Sequence, residues 1–328
     1  MCGAEPMLRR STNSRLVMVT GSDGFIGRHV TQTLVRLGWL VCAVDRRAVV
    51  APPSDSRIIH HTLDVASKDF TRLLRSTRPE AVIHLAAQSS LDALERQPEQ
   101  GIRDNIIATA NLVEACIGSS TRKIVFASSA AVYGAAKTFP VREDATVRPI
   151  SAYGWSKAAG EQLVMRAGAQ HGLEYAILRL SNVYGPGQEA KPEPGVIALW
   201  LGALLEGERL RIRTEGNPTR DFVFVGDVAE AIAAATIQGT AEVLNVSSGQ
   251  ETSLIDLLHL ACQVAGEKSQ PTVYAAPPGD IERSALNPTR ALHALGWKAL
   301  TPLELGLKRT WSYLSTSGWR QRAATAGG

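Results

Sequence analysis

Tyr153 and Lys157 stand in i, i+4 spacing, and Ser129 lies upstream on a separate segment. A phenol, an ammonium and a hydroxyl are the groups needed to take a proton from a secondary alcohol while hydride leaves its carbon. Residues 151–163 read as a helix, which puts Tyr153 and Lys157 on one face, one turn apart. A free phenol has a pKa of about 10, so service as a base near pH 7 requires a fall of roughly three units, or about 4 kcal/mol. A neighbouring ammonium supplies part of that fall by favouring the phenolate. The same short pattern also arises on ordinary helices as a surface Tyr and a solvated Lys. The rest of the chain must therefore position the pair and give it an electron acceptor.

The first element able to do so lies near the N-terminus. Residues 16–20 (Leu-Val-Met-Val-Thr) form a short apolar run, the pattern of a buried parallel strand. The run enters Gly21-Ser22-Asp23-Gly24-Phe25-Ile26-Gly27, then a helical stretch over 28–37 that Gly38 closes. Strand, glycine turn and helix in that order make a phosphate cradle. The glycines admit a pyrophosphate to the backbone, and the helix N-terminus offers it free N–H groups. The next apolar run, 40–44, ends at Asp45, where an acid would bind the adenosine ribose hydroxyls and favour NAD. Arg46 and Arg47 follow at once. They are either solvated loop charges or partners for a 2′-phosphate, which leaves NADP open.

The pattern repeats. Strand 58–63 ends at Asp64-Val65, and helix 67–76 follows. Strand 81–87 exits through Leu85-Ala86-Ala87. A long helix spans about 100–116, strand 123–127 ends at Ser128-Ser129, and helix 151–171 precedes strand 175–180. Alternation of this kind predicts an α/β fold, a Rossmann-type doubly wound parallel sheet with helices on both faces. Ligands of such sheets sit beyond the carboxyl ends of the strands. The glycine turn, Asp45, Asp64, Ala86-Ala87 and Ser128-Ser129 all fall at that edge. His84 lies inside a strand exit without an evident carboxylate partner and reads as structural.

After Tyr184-Gly185-Pro186-Gly187 the alternation breaks into a loop at 191–195, an apolar helix at 196–206 and a short strand at 210–212. A smaller α/β lobe that closes over a substrate fits this irregularity. The expected division is a tail at 1–14, a dinucleotide-binding domain of 15–181 plus 219–247, a substrate lobe of 182–218 plus 248–318, and a tail at 319–328.

Composition narrows the field further. The chain has 328 residues, 45% hydrophobic and 20% charged, with a net charge of +4, as in an ordinary globular protein. Arginines are scattered rather than clustered, which gives no nucleic-acid surface. No apolar run reaches the length of a membrane span, and the first fifteen residues lack the apolar centre of a secretory signal. Cys2, Cys42, Cys116 and Cys262 are widely spaced and form no metal or redox pair, as expected of a cytoplasmic protein without a metal site.

Taken together these residues resemble the extended short-chain dehydrogenase/reductase family, and within it the nucleotide-sugar epimerases and dehydratases. The resemblance rests on Thr20-Gly21-x-x-Gly24-Phe25-Ile26-Gly27, Asp64-Val65, His84-Leu85-Ala86-Ala87, Asn105 with the segment 111–115, Ser128-Ser129-Ala130-Ala131-Val132-Tyr133-Gly134 and Tyr153-Gly154-x-Ser156-Lys157. It continues through the segments 179–187, 219–228, 279–280 and 295–297. It implies a cofactor site of Gly21, Asp23, Gly24, Phe25, Ile26, Gly27, Asp45, Arg46, Asp64, Val65, Leu85, Ala86, Ala87 and Asn105, with Tyr153 and Lys157 at the nicotinamide end. Asp64 would meet the adenine amino group, and Lys157 would hold the nicotinamide ribose. It implies catalysis by Ser129, Tyr153 and Lys157, with Ser129 on the sugar 4-oxygen. On the substrate side it implies Ser128, Ser129, Asn182, Val196, Arg213, Arg220 and Arg283, with Arg220 on the diphosphate. It also implies a homodimer built on the helices near 100–117 and 151–171.

Two departures from the family pattern bear on the nucleotide. Arg213 stands where an aromatic ring often stacks on uracil, and Pro277 stands where an arginine often reaches a phosphate, a contact that would pass to Arg283. A third departure bears on the reaction. Family dehydratases carry Asp-Glu immediately after the residue matching Ser129, and here those places are Ala130 and Ala131. Methyl groups transfer no protons, which argues against elimination. The expected activity is NAD-dependent 4-epimerisation of a UDP-hexose or UDP-hexuronate. The alternative is a nucleotide-4-keto-sugar reductase. A non-catalytic dinucleotide-binding regulator is disfavoured, because Tyr153 and Lys157 are both kept.

Overall fold

The structure is a computed structural model that describes residues 15–48, 55–188, 195–213, 218–238, 241–267, 272–274 and 281–316. The expected tails, and Pro277 with the Gly279-Asp280 pair, lie outside the described residues.

The strands are β1 Leu16–Thr20, β2 Leu40–Asp45, β3 Ile58–Thr62, β4 Ala81–His84, β5 Lys123–Ser129, β6 Glu174–Leu180, β7 Asn182–Tyr184, β8 Arg211–Arg213, β9 Thr219–Phe224, β10 Ala241–Val246, β11 Glu251–Ser253, β12 Thr272–Tyr274 and β13 Arg283–Ser284. The α-helices are α1 Phe25–Arg36, α2 Lys68–Thr77, α3 Leu91–Arg96, α4 Pro98–Gly101, α5 Ala108–Ile117, α6 Ala152–His171, α7 Val196–Leu205, α8 Val225–Ile237, α9 Leu254–Ala265, α10 Thr289–Leu295 and α11 Leu303–Thr316. The expected long helix near 100–116 is interrupted: residues Ile102–Ile107 form a π-helical turn between α4 and α5.

Seven strands form one parallel sheet in the order β10-β6-β5-β4-β1-β2-β3. Alternating side chains of its strands fill two cores. Val17, Val19, Val41, Ala43, Ile83, Val125 and Leu178 pack with α1, α8 and α10 on one face. Leu16, Met18, Cys42, Val44, Val82, Ile124 and Ile177 pack with α2, α5 and α6 on the other. Period-two burial on both faces is why the strands read as continuous apolar runs. Each fully buried Val, Leu or Ile contributes about 1.5–3 kcal/mol.

The strand order reverses between β1 and β4, and the crevice at such a switch point is where α/β sheets bind ligands. A second layer covers that edge. In it β9 pairs with β7, β11 and β13, and β8 pairs with β12. Its core includes Tyr184, Trp200, Leu204, Phe222, Phe224, Leu257 and Leu307. The segment 219–247, expected whole in the dinucleotide-binding domain, is divided. Strand β9 belongs to the second sheet, whereas β10 is the outer strand of the main sheet.

Candidate active site

The glycine turn brings β1 and β4 within contact distance. Gly21 has φ +70°, and a Cβ on it would lie 2.7 Å from the backbone N of Ala86. A Cβ on Gly27 would lie 2.0 Å from the carbonyl oxygen of Gly21. Neither position accepts a side chain, so the turn stays tight. Helix α1 starts at Phe25 with Gly24 as its N-cap, three residues earlier than expected.

A cleft of about 390 Å³ runs along this edge. Of the expected cofactor residues, Gly21, Asp23, Gly24, Phe25, Asp45, Arg46, Asp64, Val65, Leu85, Ala86 and Ala87 line it. Ile26 packs against the core instead, and Gly27 is buried under Gly21. The sequence reading missed Arg28, Gln88, Ser89, Asp104, Gly187 and Gln188, which also line the cleft. Asp104, Gly187 and Gln188 come from the π-turn and the second layer, which no local pattern ties to the glycine turn.

The residues present fit a dinucleotide. Besides the glycine cradle, Ser22 Oγ, Asp23 Oδ2 and Gln188 Oε1 are buried and have no hydrogen-bond partner among the described residues. Buried polar atoms of this kind ask for a bound polar group. Asp45 holds its carboxylate at the β2 exit by accepting from the backbone N of Asp23 (3.1 Å) and of Arg47 (3.0 Å). Asp64 Oδ1 accepts from the backbone N of Ala66 at 2.8 Å.

The π-turn presents three consecutive side chains to this wall. Arg103 lies 3.5 Å from Asp64, and Asp104 lies 2.7 Å from Arg46. Asn105 is buried, accepts from Gln88 N at 2.7 Å, and donates to Gln88 O at 3.0 Å and to Ser156 Oγ at 2.9 Å. Ser156 in turn donates to the carbonyl of Tyr153 at 2.8 Å. Asn105 thus pins the cleft wall to the catalytic helix.

Helix α6 is capped by Ser151, whose hydroxyl accepts from Gly154 N. Gly154 lets the helix press on the end of β5, since a Cβ there would lie 2.5 Å from Ala131 O. This contact sets Tyr153 beside Ser129. Tyr153 keeps a partly exposed edge, and burial pushes its phenol up to about 12, with a hydrogen bond to Ser129 opposing the rise. Burial holds the Lys157 ammonium down to about 8, opposed by the Glu161 carboxylate one turn on. Lys157 Nζ donates to Ala127 O at 2.8 Å and lies 5.8 Å from the Tyr153 ring centroid. The protein alone therefore does not lower the phenol. A cationic ring bound nearby would have to supply the remaining pull.

His84 is structural, as its environment requires. Thr109 donates to Asn105 O, so its oxygen accepts from His84 Nε2 at 3.0 Å. His84 Nδ1 then accepts from Thr20 Oγ1 at 2.7 Å. Burial, and next the Lys157 charge, hold this imidazole down to about 3 and therefore neutral.

The expected substrate residues are placed less uniformly. Ser128 is buried and donates to Glu161 Oε1 at 2.5 Å, so its hydroxyl is spent in the interior rather than at the sugar. Glu161 forms a buried two-bond pair with Arg179, at 2.9 and 2.7 Å, and Arg179 continues to the Tyr133 hydroxyl at 3.0 Å. Ser129 Oγ accepts from Ala131 N at 3.1 Å. Asn182 donates to Asp221 O at 3.1 Å. Arg220 donates to Thr219 O at 2.9 Å. Asp221 is fully buried and accepts from Ser248, Gly249 and Leu286, which ties the second layer together. Arg283 makes a two-bond pair with Glu251, both at 2.8 Å, and lies 4.7 Å over the Phe139 ring. Val196 opens α7 beside Gly195. The Arg213 side chain lies outside the described residues.

A parallel sheet with a glycine cradle at its switch point, and a Tyr-x-x-x-Lys helix beside a serine at a strand end, define a dinucleotide-dependent centre of the extended short-chain dehydrogenase/reductase class. The NAD dependent epimerase/dehydratase family model matches residues 17–247, and the chain belongs to that family, with NAD as its cofactor. The UDP-glucose 4-epimerase of Mycolicibacterium smegmatis is 33% identical over 301 residues, 89% of this chain and 96% of that protein. The solved UDP-glucose 4-epimerase of Thermotoga maritima, with UDP-glucose, is 33% identical, with a TM-score of 0.87 over 92% of this chain and 99% of its own. A UDP-N-acetylglucosamine 4-epimerase from Methanobrevibacter ruminantium, in complex with UDP-N-acetylmuramic acid, has a TM-score of 0.87 at 28% identity, over 93% and 99% of the two chains.

Proposed function

We propose that the chain is an NAD-dependent UDP-sugar 4-epimerase acting on a UDP-hexose or UDP-hexuronate, inverting C4 through a transient 4-keto sugar. The reading is carried by one observation: Ser129, Tyr153 and Lys157 converge at the β5 exit, next to Ala130 and Ala131. Bound NAD⁺ supplies the hydride acceptor and a positive ring. Tyr153 Oη takes the proton of the sugar 4-hydroxyl, and Ser129 Oγ orients that oxygen. Lys157 keeps positive charge beside the phenol and so favours phenolate. The 4-keto sugar turns over in the site, regains hydride on its opposite face and takes its proton back from Tyr153. Ala130 and Ala131 carry no acid or base, so the keto sugar is not diverted into loss of its C6 oxygen. Asn182 and Arg220 on the second layer are assigned to the nucleotide diphosphate, and the backbone at Val196 to the base. An arginine fork suits that group.

The chain is further proposed to form a homodimer across α5 and α6. Ile102 and Ile107, on the π-turn that leads into α5, and Trp155 on α6 are 50%, 50% and 62% exposed, apolar surface of the kind that marks an interface. No helix of the described residues is long and apolar enough to cross a membrane.

The test is to incubate purified protein with UDP-glucose, UDP-N-acetylglucosamine and UDP-glucuronate without added cofactor and to analyse the sugars by NMR. C4 inversion of any of them supports the reading. Conversion that requires stoichiometric NADH or NADPH with a 4-keto sugar would replace it with the reductase.

A further inference from the structure

Arg46 and Arg47 follow Asp45 directly at the β2 exit, where the adenosine ribose of a dinucleotide lies in a sheet of this kind. Two guanidiniums beside a 2′-oxygen would normally welcome a 2′-phosphate. Both are engaged elsewhere in this structure. Arg47 stays with its own turn, donating to Asp23 O at 3.3 Å, with its Nε 3.5 Å from Asp45 Oδ1. Arg46 reaches Asp104 on the π-turn, at 2.7 Å. Asp104 is fixed for that role, with a side chain only 8% exposed and its other oxygen held by Gln100 Nε2 at 2.7 Å. Arg46, Arg47, Asp45 and Asp104 all line the same cleft.

We propose that Asp104 is a second determinant of NAD over NADP selectivity, acting through Arg46 from the π-turn beside the β2 exit. Asp45 repels a 2′-phosphate directly. Asp104 removes the guanidinium that would otherwise neutralise that repulsion, because an arginine fork committed to a carboxylate is not free to grip a phosphate. The inference rests on the cofactor reading and not on the sugar reaction. Nucleotide binding therefore tests it separately from epimerase activity.

The experiment titrates the full chain, freed of bound nucleotide, with NAD⁺ and NADP⁺ in a calorimeter. Wild type, Asp104→Asn, Asp104→Glu, Arg46→Ala and the double variant Asp104→Asn with Arg46→Ala are compared by the ratio of the two dissociation constants. Thermal melts check that each variant is folded. Asp104→Asn should shift the ratio toward NADP⁺ about tenfold, the scale of one charge-assisted contact to phosphate. The gain should vanish in the double variant, and Asp104→Glu should stay near wild type. An unchanged ratio in Asp104→Asn would overturn the proposal. So would a gain that persists without Arg46, since simple repulsion by Asp104 would then explain it. An equal gain in Asp104→Glu would do the same.

Discussion

The two walls of the cleft are held by different means. On the cofactor wall, backbones touch at Gly21, Gly27 and Ala86, and buried bonds run from Thr20 through His84 and Thr109 to Asn105. On the substrate wall the frame is buried around Asp221, but the Arg283–Glu251 pair lies near solvent with more than half of the Arg283 side chain exposed. A cofactor regenerated in every cycle has no need to leave, whereas a sugar nucleotide must enter and depart. Rigid backbone contacts on one side and a solvent-screened ion pair on the other match those two demands.

The largest expected effect falls where the walls meet. Tyr153→Phe should lower kcat by about 10²–10⁴-fold, the usual range for losing a proton-transfer group, with little change in bound NAD per chain. Stopped-assay rates and the nucleotide released on denaturation read the two separately. Next comes Arg179→Met, which strands Glu161 as an unpaired buried carboxylate beneath the β5 exit. Denaturant titration should show a loss of about 3–5 kcal/mol. Gly27→Ala attacks the cofactor wall alone. With its Cβ 2.0 Å from Gly21 O the turn must open, at about 1–3 kcal/mol, and the purified protein should carry less NAD.

Lys157→Met separates stability from function. Burial lowers this ammonium from 10.5 to about 8, so between those pH values the unfolded chain binds more protons than the folded one. Wild-type stability therefore rises with pH across that window. Lys157→Met should lose this contribution, melt higher at pH 7 by about 1–3 kcal/mol and be inactive. Lys123, held by burial at about 8 on the far edge of the sheet, contributes to both proteins, so the difference between the two pH curves isolates Lys157. The smallest effect is expected on the substrate wall. Arg283→Ala should raise the KM for the sugar nucleotide only slightly, because Arg283 is already committed to Glu251 and Phe139. A larger effect from Arg283 would mean that it leaves Glu251 for the phosphates.

The parts of the site that were legible in the sequence are those built from consecutive residues. The run 16–20, the glycine turn and Asp45 are one continuous strand–turn–helix–strand unit, and local pattern is enough to read it. The i, i+4 spacing of Tyr153 and Lys157 is legible for the same reason. What was not legible depends on distant partners. Ile102–Ile107 reads as ordinary α-helix. Its π-turn is tied to the bonds of Asn105 with Gln88 and Ser156, 17 and 51 positions away. Ser128 was assigned with Ser129 to the substrate, and Glu161, which claims its hydroxyl, lies 33 positions on, beyond the reach of local pattern. Residues 219–224 were assigned to the dinucleotide-binding domain because a strand pattern does not name its neighbours, and β7, β11 and β13 were too short to announce a second sheet.

The central claim is that hydride leaves C4 and returns to it within one protein molecule that keeps its cofactor. The most direct measurement uses UDP-glucose deuterated at C4, no added nucleotide, and NMR of the product. The predicted result is UDP-galactose with deuterium retained at C4. Inversion with deuterium lost to the medium, or turnover that needs NAD⁺ or NADP⁺ supplied in solution and leaves the deuterium on the reduced nucleotide released, would contradict the account.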